Sequence, residues 1–248
     1  MKKWTAAIIL AGGRGTRMGS DLPKQYMQVG GYPLIYYSLK AFEDSFVDEI
    51  VLVCAESDIG FCSEEIVGKY GFSKVKGIVS GGRERYHSVH NGLAALRCIA
   101  EGDMRDPCEI VFIHDGARPF VDGDIIKRAY DAAVEDHAAI VAIPANDTVK
   151  LADGERFADE TLRRDRVWLV QTPQVFDFYE IYDAYGKLIE TEADLIERGV
   201  LVTDDAMVME LFSDRKIRLV MGDARNIKVT TPEDMEMVGY FMAKRQNI

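Results

Sequence analysis

Apolar residues recur along this chain in short unbroken runs, separated by stretches in which they return with helical spacing. Ala6 to Ala11 is the first such run, and its small and apolar residues predict a strand buried on both faces. Glu49 to Ala55, Lys74 to Ser80, Glu109 to His114 and Ala138 to Pro144 predict four more strands. Between them, Leu34, Tyr37, Ser38, Ala41 and Phe42 keep helical spacing after Pro33, a residue suited to a first helical turn. Ile59, Phe61, Cys62, Ile66 and Tyr70 do the same over residues 57 to 70, ending at Gly71. A further helix opens after Gly81-Gly82, and another is predicted from about Gly123 to Asp136. Strands alternating with helices imply an α/β fold with a largely parallel, twisted sheet and right-handed crossovers.

Beyond Pro144 the pattern changes. Asn146 to Phe157 alternates between polar and apolar residues around Asp153-Gly154, which predicts a hairpin with its turn there. A polar hairpin inserted at about 146–167 should project as a β-arm from a single domain spanning 1–248. An isolated hairpin is marginal in water, so a second subunit is the expected support. Residues 177 to 190 and 192 to 198 predict helices. Thr203-Asp204-Asp205 predicts a helix N-terminus with both acids in capping roles. Lys216 to Met221 predicts a strand, a second strand should end in Lys228, and a helix from about Pro232 closes the pattern.

Composition changes this picture in three ways. An apolar content of 48% in 248 residues supports a sizeable core in one large domain. A formal charge of −11 argues against nucleic acid or an acidic membrane as the main partner, and makes any basic cluster more telling. Cys54, Cys62, Cys98 and Cys108 are scattered without a Cys-x-x-Cys pair, so neither a zinc site nor a disulfide framework is expected. No run approaches a membrane span, and the apolar N-terminal stretch is short for a signal peptide. A reduced, cytoplasmic location follows as an expectation.

The basic cluster lies just after the first strand. Gly12, Gly13, Gly15 and Gly19 alternate with Arg14 and Arg17, and Lys24 follows Pro23. Glycines let backbone N–H groups approach an anion, and the cations neutralise it, so the loop suits polyphosphate. It is not a dinucleotide fingerprint, since Met18 stands where the third glycine belongs, and not a Walker A loop, since no lysine separates Gly19 from Ser20. A second glycine loop, Gly81-Gly82, opens the helix carrying Ser88, Asn91, Gly92 and Ala95 on one side, where hydrogen bonds to a base or ribose are suited. His87 and His90 have no carboxylate or cysteine placed to complete a metal site and read as structural or surface residues. Asp115-Gly116-Ala117-Arg118-Pro119 stands at the end of the fourth strand, where open α/β sheets bind ligands. Asp115 suits a metal or a hydroxyl and Arg118 a phosphate; the alternative is a helix-entry turn with an internal Asp–Arg pair.

These motifs occur in a specific order: Leu-Ala-Gly-Gly-x-Gly-Thr-Arg-Met with Pro-Lys-Gln, Gly-Gly-x-x-Arg-x-x-Ser-Val, His-Asp-Gly-Ala-Arg-Pro, Asp-Thr-Val-Lys, Gln-Thr-Pro-Gln, Thr-Asp-Asp-Ala and Asn-Ile-Lys-Val-Thr-Thr-Pro-Glu-Asp. From about Ala6 to the final helix the chain resembles the IspD family, cytidylyltransferases that make CDP-methylerythritol from CTP and 2-C-methyl-D-erythritol 4-phosphate in non-mevalonate isoprenoid biosynthesis. The resemblance implies a Rossmann-like nucleotidyltransferase fold. It implies catalytic roles for Arg17, Lys24, Lys228 and Arg164. It places Ala11, Gly12, Gly13, Gly15, Gly82, Ser88, Asp115 and Gly116 around CTP, and Asp115, Arg118, Thr148, Arg164, Thr172 and Lys228 around the acceptor. It also implies a homodimer in which the arm carrying Thr148 and Arg164 crosses to the partner. Magnesium is implied, held mainly by the triphosphate and water rather than by a protein cage. The family often shows Asp-Arg before the Trp strand, whereas this chain reads Arg163-Arg164-Asp165-Arg166. Counting back from Trp168 selects Arg164, with Arg163 and Arg166 left open.

The implied chemistry is in-line attack by an acceptor phosphate on the α-phosphorus of CTP, with pyrophosphate leaving. A phosphate already deprotonated near neutral pH needs no general base, in keeping with the absence of a Ser or His constellation. Two rivals stand beside this reading. A ribitol-5-phosphate cytidylyltransferase shares loop, order and arm. A non-catalytic nucleotide-binding subunit would keep the fold, but Arg17, Lys24, Asp115 and Lys228 are all present.

Overall fold

The computed structural model describes residues 2–13 and 22–245. Arg17 and Gly15 of the first glycine loop lie outside the described residues.

The central sheet has seven strands in the order β11-β7-β10-β6-β1-β4-β5. They are β1 (Thr5–Ala11), β4 (Glu49–Cys54), β5 (Val75–Ser80), β6 (Ile110–Asp115), β7 (Ala138–Pro144), β10 (Trp168–Asp177) and β11 (Arg218–Met221). The small pairs β2 (Gln28–Val29) with β3 (Tyr32–Pro33), and β8 (Lys150–Ala152) with β9 (Ala158–Thr161), stand apart from it. The helices are α1 (Leu34–Glu43), α2 (Ile59–Phe61), α3 (Arg85–Gly102), α4 (Gly123–Asp136), α5 (Phe178–Glu190), α6 (Glu192–Glu197), α7 (Asp205–Phe212) and α8 (Pro232–Arg245). Helical backbone continues on both sides of α2, as a 3-10 turn over Glu56–Asp58 and a π-helical stretch over Cys62–Gly68, so the helix predicted for 57 to 70 is present with uneven winding.

The unbroken apolar strands are explained by burial on both faces. Ala7, Ile9 and Ala11 of β1, Ile50 and Leu52 of β4, and Phe112 of β6 point into one core with Ile35, Leu39 and Phe42 of α1 and Ile126 of α4. The alternate residues Ala6, Ile8, Val51, Val53, Val111 and Ile113 point into a second core with Leu93 and Leu96 of α3, Ile181 and Leu188 of α5, and Met209 of α7. Period-two side-chain alternation thus divides one sheet between two helical layers. Gly92 marks where α3 comes closest, since a Cβ there would lie 2.7 Å from Ile8 Cγ2.

β1, β4, β5 and β6 pair in parallel, as do β7 and β11. β10 is antiparallel to both β6 and β7 and fills the space between them. An apolar run carries no sign of its direction, so this inversion is not readable from hydrophobic pattern alone. The register of β10 against β7 slips between Val170 and Gln174.

Helix starts follow their acids. Asp122 Oδ1 accepts the Ile125 N–H at 2.8 Å, and Asp204 Oδ1 accepts the Met207 N–H at 3.0 Å. Asp204 therefore caps α7 as predicted, whereas Asp205 does not share that role: its carboxylate is fully buried and paired with Arg85 and Tyr185. The strand predicted to end in Lys228 is absent. Residues 223–231 form an irregular segment held by the Val229 N–H, which donates to Ala117 O at 2.9 Å, and by Arg118 Nη1, which donates to Asn226 O at 2.8 Å. Ile227 and Val229 alternate with polar neighbours as in a strand, but they pack into a third core with Phe120, Val238 and Met242.

The predicted hairpin forms, and every residue of β8 and β9 is exposed. Its turn is wider than Asp153-Gly154 alone. Arg156 N–H donates to Asp153 O, Asp153 N–H to Phe157 O, and the left-handed residue is Arg156 (φ 71°). Asp153 Oδ1 accepts from the Glu155 and Phe157 N–H groups, both at 2.9 Å, so the aspartate side chain shapes the loop.

Candidate functional site

A cavity of about 740 Å³ opens at the carboxyl ends of β1 and β6. Its wall is built from four stretches: Leu10 to Gly13, Lys24 with Gln25, the Gly82–Ser88 turn into α3, and Lys228 with Thr230. Asp115 and Ala117, from the end of β6, lie between them. This is the place where open α/β sheets bind ligands.

Each stretch is tied down by its own hydrogen bonds. Gln25 Nε2 donates to Ala11 O at 2.6 Å, which fixes the residue after Lys24 against the end of β1. Lys24 Nζ donates to Val229 O at 2.7 Å, joining this stretch to the irregular segment before α8. Gly81 N–H donates to Cys54 O at 2.7 Å, and Gly82 N–H to Ser88 Oγ at 3.1 Å. Gly82 cannot carry a side chain in this turn, because a Cβ would lie 2.2 Å from the Cβ of His87. His87 accepts the Glu84 N–H at Nδ1 and meets Glu192 at Nε2, so it is a structural residue of the turn.

The electrostatic centre is Asp115. Its Oδ2 lies 2.9 Å from Lys228 Nζ and 3.7 Å from Arg118 Nε, and its Oδ1 lies 3.4 Å from Arg85 Nε. Burial opposes its ionisation, but Arg85, Lys228 and Arg118 outweigh burial and hold the carboxyl far below the usual carboxylate range. Arg85 is itself held by both carboxylate oxygens of Asp205 at 2.8 Å. Burial lowers its tendency to stay charged, and the carboxylates of Asp205 and Asp115 more than restore it.

Of the residues singled out in the sequence, Ala11, Gly12, Gly13, Lys24, Gly82, Ser88, Asp115 and Lys228 line this one cavity. Arg118 does not line the cavity; it stands beside Asp115 in the internal Asp–Arg pair of that turn. Gly116 lies behind the wall, its N–H donating to Leu10 O and its carbonyl accepting from Ser38 Oγ. Thr172 is also behind it, with Oγ1 accepting the Asp115 N–H at 3.0 Å. Thr148 and Arg164 are on the exposed arm and do not line the cavity of their own chain; Arg164 Nη1 donates to Asn146 O at 3.1 Å. Arg85 belongs to the Gly-Gly-x-x-Arg-x-x-Ser-Val motif, which by itself assigns it no role, and local pattern alone makes its partner Asp205 a helix cap. The available signal was a basic residue at the first position of a helix that follows a glycine turn.

The chain is similar over nearly its whole length to proteins of one kind. The family model of 2-C-methyl-D-erythritol 4-phosphate cytidylyltransferase (IspD) matches residues 5–244. This chain belongs to that family. A relative of that name from Lachnospira eligens is 47% identical over 237 residues, covering 95% of this chain and 98% of the relative. Another, from Geotalea uraniireducens, is 42% identical and covers 95% of each. Among solved structures, the 4-diphosphocytidyl-2C-methyl-D-erythritol synthase of Anaerococcus prevotii superposes with a TM-score of 0.82 at 33% identity, covering 97% of this chain and 96% of that one. The central sheet with its helical layers is thus the Rossmann-like nucleotidyltransferase fold of the IspD family.

One further residue of this family member's site is a buried histidine. His114 precedes Asp115 and is inaccessible to solvent. Burial pushes its imidazole down to about 3, against the pull of the neighbouring Asp115 carboxylate. The neutral ring fits one proton arrangement: Thr172 Oγ1 donates to Nδ1 at 3.0 Å, and Nε2–H donates to Arg118 O at 3.3 Å. Thr172 thereby links β10, His114 and the backbone of Asp115.

Folding stability should record this. Between an unfolded value of 6.5 and a folded value of about 3, the unfolded chain binds a proton at this imidazole that the folded chain does not. Stability therefore falls as pH falls through that window, by up to about 1.4 kcal/mol per pH unit. Asp115, whose value is depressed by folding, adds its own loss only as pH drops below 3.8. Urea denaturation at pH 4.5, 5.5 and 6.5 should show a shallower slope for His114→Gln than for the unaltered chain. His90, also lowered by burial, contributes equally to both proteins and cancels in the comparison. Equal slopes would mean that His114 is protonated in the folded chain.

Proposed function

We propose that this chain transfers the cytidylyl group of CTP to 2-C-methyl-D-erythritol 4-phosphate, giving 4-diphosphocytidyl-2-C-methyl-D-erythritol and pyrophosphate. The observation that carries this reading is the near full-length match to the family together with a single cavity in which Lys24 and Lys228 meet two glycine turns. An acceptor phosphate oxygen forms a bond to the α-phosphorus of CTP. The bond from that phosphorus to the bridging oxygen breaks, and pyrophosphate leaves with its electron pair. The acceptor phosphate is already deprotonated near neutral pH, so the protein's work is to position two polyanions and neutralise the charge that develops. Lys24 and the backbone of Gly12 and Gly13 serve the triphosphate. The Gly82–Ser88 turn serves cytosine and ribose, and Lys228 with Arg118 serves the acceptor phosphate.

Magnesium fits this donor set as a companion of the nucleotide. Glu84 and Asp115 are the carboxylates in the described wall, and Asp115 is already engaged by three cations. Among the described residues no three His, Cys, Asp or Glu side chains converge as a metal cage. An ion held mainly by phosphate oxygens and water would neutralise the triphosphate without protein ligands of its own. We also place the chain in the cytoplasm: Cys54, Cys62, Cys98 and Cys108 are all free thiols, and no described helix is long and apolar enough to cross a membrane.

The experiment is pyrophosphate release with CTP and each acceptor in turn. Release with 2-C-methyl-D-erythritol 4-phosphate and little with ribitol 5-phosphate is expected. The reverse preference, or no release with either, would refute the assignment.

We further propose that the arm pairs with a second copy and carries Thr148 and Arg164 to the partner's cavity. The exposed side chains Leu151, Phe157, Leu169 and Val170 give the arm and its base an apolar surface that a second subunit would cover. Light scattering should report a dimer at micromolar concentration. Arg164→Ala should raise the acceptor KM about tenfold while leaving the CTP KM within twofold, the size of one charged phosphate contact. A monomeric protein with full activity would exclude the arm from the site.

A further inference from the structure

Two side chains on the far side of the cavity wall remain unexplained by the proposed chemistry: Asp205, at the start of α7, and Tyr185, in α5. Both are fully buried. Helix capping does not account for Asp205, because Asp204 takes the Met207 N–H at Oδ1 and Gln174 Nε2 at Oδ2. A buried carboxylate without partners is strongly unfavourable, and here the compensation is specific. Arg85 donates from Nη1 to Oδ1 and from Nη2 to Oδ2, both at 2.8 Å, and Tyr185 Oη donates to Oδ1 at 2.6 Å.

The consequence lies on the other edge of the guanidinium. With both Nη atoms engaged by Asp205, Arg85 meets Asp115 only through Nε, at 3.4 Å from Oδ1. Asp115 Oδ2 is then the oxygen that Lys228 Nζ approaches at 2.9 Å. The planar fork of an arginine prefers a two-point match to a carboxylate. If its fork were released from Asp205, it would be free to take Asp115 in that manner and displace Lys228. A pin that merely joined α3 to α7 would have no need to place a guanidinium in the cavity wall, yet Arg85 lines the cavity.

We propose that Asp205, supported by Tyr185, is a positioning residue for cytidylyl transfer: it holds the fork of Arg85 away from Asp115 and so leaves Asp115 to set the place of Lys228. This rests on the function proposed above, in which Lys228 serves the acceptor phosphate. It adds α5 and α7, which contribute no side chain to the wall, to the parts of the fold that govern the reaction.

The test is a double-mutant cycle on the full chain, read as pyrophosphate release with CTP and 2-C-methyl-D-erythritol 4-phosphate. Asp205→Asn should lower kcat/KM for the acceptor about tenfold while the CTP KM stays within about threefold, the pattern of a displaced acceptor contact. Tyr185→Phe, which keeps the charge pair and removes one hydrogen bond, should lower it about threefold. In an Arg85→Gln background both losses should vanish, since each acts through Arg85; neighbours that share one network are non-additive in this way. Should Asp205→Asn fail to fold, Tyr185→Phe with and without Arg85→Gln decides the matter. Losses that add to that of Arg85→Gln, a CTP KM that moves with the acceptor KM, or single variants equal to wild type would each overturn the proposal. Wild-type release alongside any of these outcomes leaves the assigned reaction standing, whereas no wild-type release would strike the reaction itself.

Discussion

Lys24→Ala is expected to lower kcat by at least about 10²-fold at saturating CTP and acceptor, by analogy with the loss of one donor to the charge that develops in a transition state. The structure gives two reasons for so large an effect. Lys24 lines the cavity, and its neighbour Gln25 is anchored to Ala11 O, so the lysine's backbone is set against the end of β1. Its ammonium also donates to Val229 O at 2.7 Å, one residue from Lys228. In the proposed reaction, removing it would take a cation from the triphosphate, and it also removes a tether from the segment that carries Lys228. Lys24→Arg should be impaired as well, because a planar fork does not reproduce three donors on a point charge. The assay is pyrophosphate release under saturating substrates, with thermal unfolding alongside; a rate near wild type would exclude Lys24 from the transition state.

The second large effect belongs to Asp115→Asn, and it should appear in stability and activity together. The carboxylate stands among Arg85, Arg118 and Lys228, and its neutralisation leaves their mutual repulsion uncompensated. Breaking a buried ion pair from one side costs roughly 3–5 kcal/mol. Arg85 keeps Asp205, which places most of that loss on Arg118 and Lys228. If Lys228 serves the acceptor phosphate as proposed, its displacement by about 1 Å should reduce kcat/KM about 10²-fold. Urea unfolding gives the first quantity and pyrophosphate release the second. A variant as stable and as fast as wild type would mean that the three cations find other anions.

Much of this site was legible in the chain, for identifiable reasons. Ala6 to Ala11, a short unbroken run of small and apolar residues closed by glycine, reads as a doubly buried strand, and Gly12 and Gly13 follow it at its carboxyl end. Asp115 was legible because it ends a buried run. Asp205 was not: an acid in the first turn of a helix has a local explanation, and only the arrival of Arg85, 120 residues away in sequence, displaces it. His114 was passed over because a histidine closing an apolar run looks like part of the strand, and its role lies in contacts made by Thr172 and Arg118. The segment 223–231 misled for a related reason. Ile227 and Val229 alternate as strand residues do, but the backbone partner of Val229 is the single carbonyl of Ala117 rather than a ladder. Local pattern reports burial and periodicity faithfully; it does not report which distant group will satisfy a charge or a carbonyl.

The inverted strand β10 also makes the two halves of the sheet depend on one late stretch of chain. β5, β4, β1 and β6 are adjacent in the sheet and are complete once residue 115 is reached, so they can close as a parallel unit early. β7 has no place beside them until residues 168–177 arrive to bridge the gap. Until then the edge of β6 is open, and contacts across the gap wait on the slower closure of a longer loop. Asp115 sits at the end of that edge, and its backbone gains the Thr172 hydroxyl only when β10 docks. The bond that ties the Asp115 backbone to Thr172, 57 residues further along the chain, thus depends on the pairing of a strand that runs against its neighbours.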